Sequence, residues 1–217
     1  GRLNPGVGPH DVALALVGAT YANGYVKNKV MEFVGPGVAG LSADCRNGID
    51  CMTTETTCWS SIWQTDGVTE EYLAGHGRAD AYKELKPADV AYYDGCIELD
   101  LSKIECMIAL PMHPSYAYPI RELKANAKDL LHEIETRANE QLSGKVKMDL
   151  VSKVRADGSI YVDQGIVAGC SGGTYENLCA VADILRGKSC GNGEFKFSAY
   201  PDSMPTYLEL VKNGAVA

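Results

Sequence analysis

The sequence predicts an α/β chain, with layered α/β/α lobes and largely parallel sheets. Strand-like and helix-like stretches alternate along it, the pattern of α/β layers. Apolar residues make up 46% and charged residues 22%, an ordinary globular balance that excludes a disordered chain, a collagen and a coiled coil. At 217 residues the chain is long enough to bury a core without staples. At ~150 residues per domain it holds one or two domains.

Asp11 reads as an N-cap and residues 12–21 as a short apolar helix, stopped at Asn23-Gly24. Residues 26–34 read as a strand ended by Gly35-Pro36-Gly37. Residues 38–48 read as helical. Residues 53–63 are dense in Thr, Cys and aromatics, which favours extended structure or a helix end running into a strand. Residues 68–74 form a short helix, and 90–101 and 104–110 read as strands. Residues 111–119 hold Pro111, Pro114 and Pro119. Proline removes donors and restricts its neighbour, so this stretch reads as an extended connector and a domain boundary. It divides the chain into a lobe at 1–112 and a lobe at 113–217. Residues 121–142 give the clearest helix, with Leu123, Ala127, Leu130, Leu131 and Ile134 on one face. A strand at 160–168, a helix at 175–185, a strand at 195–200 and a helix at 204–211 complete the pattern.

The formal net charge is −8. Residues 1–112 carry eight basic and fifteen acidic groups, and residues 113–217 carry twelve and thirteen. No basic stripe exists, so neither nucleic acid nor an anionic membrane is expected as a partner. The longest apolar run, 12–17, falls far short of the ~20 residues that span a bilayer. No signal peptide is visible, and the first residue is not Met, which points to a piece of a longer protein. Eight cysteines without a secretion signal point to reduced thiols and a cytoplasmic location.

The most informative stretch is Gly165-Ile-Val-Ala-Gly-Cys170-Ser-Gly-Gly-Thr-Tyr-Glu-Asn-Leu178. A buried strand ends at Gly169, a glycine-rich turn follows, and a helix begins. A cysteine at a helix N-terminus meets outward N–H groups and a favourable dipole, which promote the thiolate. Gly172 and Gly173 let a bulky partner approach the backbone. The plainer reading is a tight turn with a buried cysteine. Residues 169–173 fit the G-x-S-x-G elbow of serine hydrolases, but that elbow needs a later histidine, and the last one here is His132. A thiol protease needs a histidine well beyond its nucleophile and fails for the same reason. A metal or iron–sulfur ligand needs only the thiolate and space.

That third reading meets a resemblance. Gly169-Cys-Ser-Gly-Gly-Thr-Tyr-Glu-Asn177 resembles the first cluster-ligand motif of aconitase-type hydro-lyases. Gly35-Pro36-Gly37-Val38 resembles the family's Gly-Pro-Gly-Val element. Glu55, in Met52-Thr-Thr-Glu55-Thr-Thr, stands seventeen positions after Val38, where the family places a catalytic glutamate. Pro111-Met-His-Pro and Phe197-Ser-Ala-Tyr-Pro are similar to two further family elements. The shared order covers residues 10–217 and is nearest to the uncharacterised hydratase branch of the superfamily. Two departures are visible: smaller residues flank Cys170 than in the family's Ser-Cys-Thr-Asn-Ser, and Cys51 stands where aconitases proper have asparagine.

The resemblance implies a [4Fe–4S] cluster held by three cysteines, two of them in a later Cys-x-x-Cys that is absent here. It implies Cys170 as a cluster ligand and metal-binding residue, and Glu55 as the catalytic group at the proton of the departing hydroxyl. It implies a second lobe carrying Glu55 and an incomplete third lobe carrying Cys170. The parent enzyme would then dehydrate a hydroxy di- or tricarboxylate, with this fragment inactive and cluster-free alone and completed by the remaining domains of the parent chain. An alternative is a non-catalytic α/β scaffold binding a small anion at the 169–173 turn. A thiol hydrolase using Cys170 is a weaker third. Cys51 and Cys58, seven apart, read as core rather than a metal pair. Cys179 points to the core, and His10, His76 and His113 read as surface or capped residues.

Overall fold

The computed structural model describes residues 1–191 and 193–216. The chain divides into two compact units, Gly1–Cys106 and Met107–Ala217. The fold is mixed α/β, as the alternation predicts. Among the described residues, the strands pair in three two-stranded sheets, two parallel and one antiparallel.

In the first unit, helix α1 spans Pro9–Thr20. Its cap is Gly8 rather than Asp11. Pro9 opens the helix because its missing N–H costs nothing in the first turn. Asp11 lies inside that turn, and its carboxylate accepts the Gly8 N–H at 2.7 Å. Val12, Ala13, Leu14, Leu16 and Val17 are buried.

Strands β1 (Val30–Phe33) and β2 (Ser60–Trp63) run parallel, with Val30 opposite Ser60 and Phe33 opposite Trp63. The predicted strand at 26–34 is therefore shorter. Its first residues form turns instead, with Lys27 N–H on Gly24 O at 3.1 Å and Lys29 N–H on Val26 O at 3.0 Å. A parallel pair needs a crossover, and helix α2 (Ala43–Cys51) supplies it. Short 3-10 turns at Val38–Gly40 and Met52–Thr56 flank α2. Val12, Leu41, Cys45, Ile49, Leu101 and Ile104 form the core here.

Arg46 of α2 is buried, and its guanidinium is fully engaged. It donates to Leu41 O at 3.1 Å, to Val38 O at 2.9 Å, and to both Asp66 oxygens at 2.9 and 2.7 Å. Asp66 also caps helix α3 (Gly67–Gly75) through Val68 N–H and Thr69 N–H. The Arg46 hydrogen bonds hold the Asp66 carboxyl below the usual carboxylate range.

No strand forms at 90–101. The Tyr25 hydroxyl donates to Cys96 O at 3.2 Å and accepts Cys96 N–H at 3.1 Å. Both backbone groups that a ladder would use there are taken by a side chain. Tyr92 is left 94% exposed, so no alternating buried face exists.

In the second unit, β3 (Met107–Ala109) and β4 (Ala117–Pro119) form an antiparallel hairpin. The proline-rich segment is thus the turn and return strand of a hairpin, while the units part between Cys106 and Met107. Pro111 and Pro114 sit in the turn, where no ladder N–H is required. The predicted helix at 121–142 is two helices, α4 (Ile120–Ala125) and α5 (Ala127–Gln141), broken at Asn126 with φ −129° and ψ 31°. Leu123, Leu131 and Ile134 still share one core with Leu110.

Strands β5 (Gln164–Val167) and β6 (Lys196–Ala199) run parallel, joined through α6 (Gly169–Gly172) and α7 (Tyr175–Leu185). Helix α8 spans Met204–Lys212. Ile160 joins only an isolated bridge with Val154, so the predicted strand at 160–168 narrows to β5. Among the described residues no helix is long and apolar enough to cross a membrane.

Candidate functional site

Glu55 lies on the 3-10 turn that follows α2. Thr53 and Thr56 face inward and are buried, while Thr54 and Glu55 face out. Glu55 is exposed rather than desolvated, and makes no hydrogen bond or ion pair among the described residues. Thr56 Oγ1 donates to Thr53 O at 2.6 Å, and Cys58 Sγ donates to the same carbonyl at 3.3 Å. Cys58 is therefore a packing and hydrogen-bonding residue of this turn. Thr57 ends the turn at φ 65°. A β-branched residue in the left-handed region costs ~1–2 kcal/mol and persists only where its surroundings enforce it. Here Thr57 O accepts Asn28 N–H at 3.1 Å, and Trp59 N–H donates to Lys29 O at 2.8 Å.

Three residues that sequence reasoning missed, Asp50, Ser61 and Trp63, join Thr53 in binding this turn to β2. Ser61 Oγ donates to Asp50 Oδ1 at 2.5 Å, and Trp63 Nε1 donates to the same oxygen at 2.9 Å. Thr53 Oγ1 donates to Asp50 O at 2.8 Å and lies 2.9 Å from Ser61 Oγ. The available signal was the two-residue spacing of Ser61 and Trp63, which places both on one face of a strand.

Cys170 lies in the turn that leaves β5. Ala168 is extended and Gly169 has φ 83°, a conformation open to glycine at no steric cost. The chain then makes the single turn of α6, closed by Gly173 N–H on Gly169 O at 2.8 Å. The Cys170 side chain is exposed, while Ser171 and Thr174 are buried. The longer helix, α7, begins only at Tyr175, so the dipole expected behind Cys170 belongs to a helix that starts five residues later.

The space left by Gly173 is taken by the chain itself. A Cβ there would fall 2.5 Å from Tyr200 O, 2.8 Å from Gly169 O and 2.9 Å from Asp202 N. The partner that approaches this glycine is thus the segment after β6, with Asp202 N–H on Gly173 O at 2.9 Å. Thr174 Oγ1 is buried without a hydrogen-bond partner among the described residues. Buried hydroxyls are seldom left so, which marks a spare donor one turn beyond Cys170.

Among the described residues no group of three His, Cys, Asp or Glu side chains converges as a metal site. All eight cysteines are thiols rather than disulfides. An exposed thiol on a glycine-opened turn fits one ligand position of an iron–sulfur cluster, and the described residues do not fill the others.

The Aconitase family (aconitate hydratase) matches residues 1–217. The chain is 28% identical over 214 residues to the 2,3-dimethylmalate dehydratase large subunit of Eubacterium barkeri, covering 99% of this chain and 42% of that one. It is 28% identical to the 3-isopropylmalate dehydratase large subunit of Clostridium kluyveri, with the same coverage. For the 3-isopropylmalate dehydratase large subunit of Moorella thermoacetica, identity is 26% over 217 residues and 43% of that protein is covered. The chain therefore spans less than half the length of these relatives. A match over its whole length leads to one conclusion: the chain belongs to the aconitase family.

Proposed function

We propose that the chain is the Glu55- and Cys170-bearing portion of a [4Fe–4S]-dependent hydro-lyase that dehydrates a hydroxy dicarboxylate. The observation that carries this reading is the exposed Cys170 thiol on the Gly169 turn, within a chain matched end to end by the family. The relatives' names, dimethylmalate and isopropylmalate dehydratase, favour a substituted malate over a tricarboxylate. Their designation as large subunits supports a small-subunit partner. The thiol state of the cysteines accords with a cytoplasmic enzyme.

When bound, the cluster supplies a Lewis acid toward the substrate hydroxyl. Cys170 Sγ would serve as one ligand to it, and the described residues would not supply the others. The Glu55 carboxyl gives its proton to the departing hydroxyl, which leaves as water, while the proton on the neighbouring carbon passes to a separate base as the C=C bond forms; in the reverse direction Glu55 takes a proton from water. Its unengaged position suits that exchange. Because the ligand set is incomplete here, the isolated chain is inactive on this reading.

The test is turnover by the full-length protein on 3-isopropylmalate and 2,3-dimethylmalate, followed by the ultraviolet absorbance of the alkene. Glu55→Gln lowers kcat by about 10²-fold or more, the usual range for losing a general acid or base. An unchanged kcat removes Glu55 from the mechanism.

A further inference from the structure

The turn that carries Glu55 is held more firmly than an exposed turn requires. Asp50 is the last acidic residue of α2, and its Oδ1 receives two donors from β2. Ser61 has one hydroxyl proton and commits it to Asp50 Oδ1 at 2.5 Å, a short charge-assisted bond. The Thr53 proton is then shared between Asp50 O and Ser61 Oγ. Trp63 adds a second constraint: its ring stacks on Phe33 of β1 at 4.2 Å and 9°, so its N–H cannot swing away from Asp50 without breaking the stack. Both strands of the parallel pair therefore hold the start of the turn. Its far end is fixed by buried Thr56 and by the strained Thr57. Between these anchors stands a carboxylate that makes no hydrogen bond or ion pair among the described residues. A rigid backbone under an unengaged acid is the arrangement that preorganises a catalytic group.

We infer that Asp50 is a positioning residue for Glu55, fixing through Ser61 and Trp63 the direction in which the Glu55 carboxylate leaves the turn. This rests on the hydro-lyase reading above. Asp50 touches no reacting atom; it acts through the backbone of residues 51–55.

The experiment uses the full-length enzyme with 3-isopropylmalate and 2,3-dimethylmalate as probes. The variants are Asp50→Ala, Asp50→Asn, Ser61→Ala and Trp63→Phe, each alone and each combined with Glu55→Gln. Trp63→Phe keeps the stacked ring and deletes only the N–H, so it remains informative if Asp50→Ala does not fold. Asp50→Ala and Trp63→Phe lower kcat on the order of tenfold with KM within about twofold, since small misplacements of a catalytic group are costly. Asp50→Asn, which keeps an acceptor oxygen, recovers most of the loss. In the Glu55→Gln background the same substitutions cost nothing further, because there is no carboxylate left to aim. A loss that persists undiminished in that background makes the network purely structural and overturns the inference, as does unchanged kcat in all four single variants. Turnover that is absent in the unsubstituted protein, or unaffected by Glu55→Gln, overturns the underlying hydro-lyase reading, and this inference falls with it.

Discussion

Arg46→Ala destabilises the Gly1–Cys106 unit by about 2–4 kcal/mol, the cost of leaving two carbonyls without their donor and of breaking the pair between a buried guanidinium and the part-exposed Asp66 carboxylate. The side chain is 5% exposed and joins three pieces of chain: Val38 O before α2, Leu41 O, and the Asp66 carboxylate that caps α3. Removing it orphans two carbonyls and leaves Asp66 without its cation. Both tryptophans, Trp59 and Trp63, lie in this unit, so urea unfolding followed by tryptophan fluorescence reports on it directly. A change below about 1 kcal/mol refutes the anchoring role. The same pair sets a pH dependence. The Asp66 pKa is depressed in the folded state, so its contribution is present in full above the unfolded value of about 3.9. It is lost as pH falls through the folded value. Asp66→Asn removes that part of the acid sensitivity along with the ion pair.

Gly173→Ala costs roughly 2–3 kcal/mol and displaces the Cys170 turn, an overpacking effect at the upper end of the usual range. The backbone angles there, φ −87° and ψ 13°, suit any residue, so the penalty comes from space alone. All three atoms within 3 Å of the added carbon are backbone atoms, and none can rotate away. Hydrogen exchange gives the readout. The Gly173 and Asp202 amides, now held at 2.8 and 2.9 Å, exchange on the order of 30- to 100-fold faster, as about 1.4 kcal/mol is tenfold. Gly67→Ala is the control, because no atom lies within 4 Å of its added carbon. Equal behaviour of the two variants contradicts the close-approach account.

The short helices were the most legible part of the fold. The helices expected at 68–74, 175–185 and 204–211 each lie where the pattern puts them, while their caps, Asp66 before α3 and Ser203 before α8, emerge only from the structure. Long-range hydrogen bonds defeated the pattern at 90–101, because only the folded chain shows that Tyr25 occupies Cys96 across seventy-one positions of sequence. At Asn126 the apolar face continues through a break in the helix, so periodicity alone could not reveal it. The prolines at 111–119 were read as stiffness between lobes; they instead occupy positions in a hairpin that need no donor. Of the site, the strand–glycine–cysteine turn was visible in the residues themselves. The Asp50–Ser61–Trp63 contacts were not, since they depend on how α2 lies against β2. The close approach at Gly173 was anticipated in kind, but its partner is the Tyr200–Asp202 backbone.

The central claim is that Cys170 holds a cluster, and its most direct test is iron bound by the full-length protein after anaerobic reconstitution with iron and sulfide. The unsubstituted protein and Cys170→Ser are compared by iron content and by visible thiolate-to-iron absorbance. The account predicts a stable cluster in the former and loss of iron and colour in the latter, with Thr57 and Trp63 contacts in the other unit untouched. Full iron content in Cys170→Ser would contradict it.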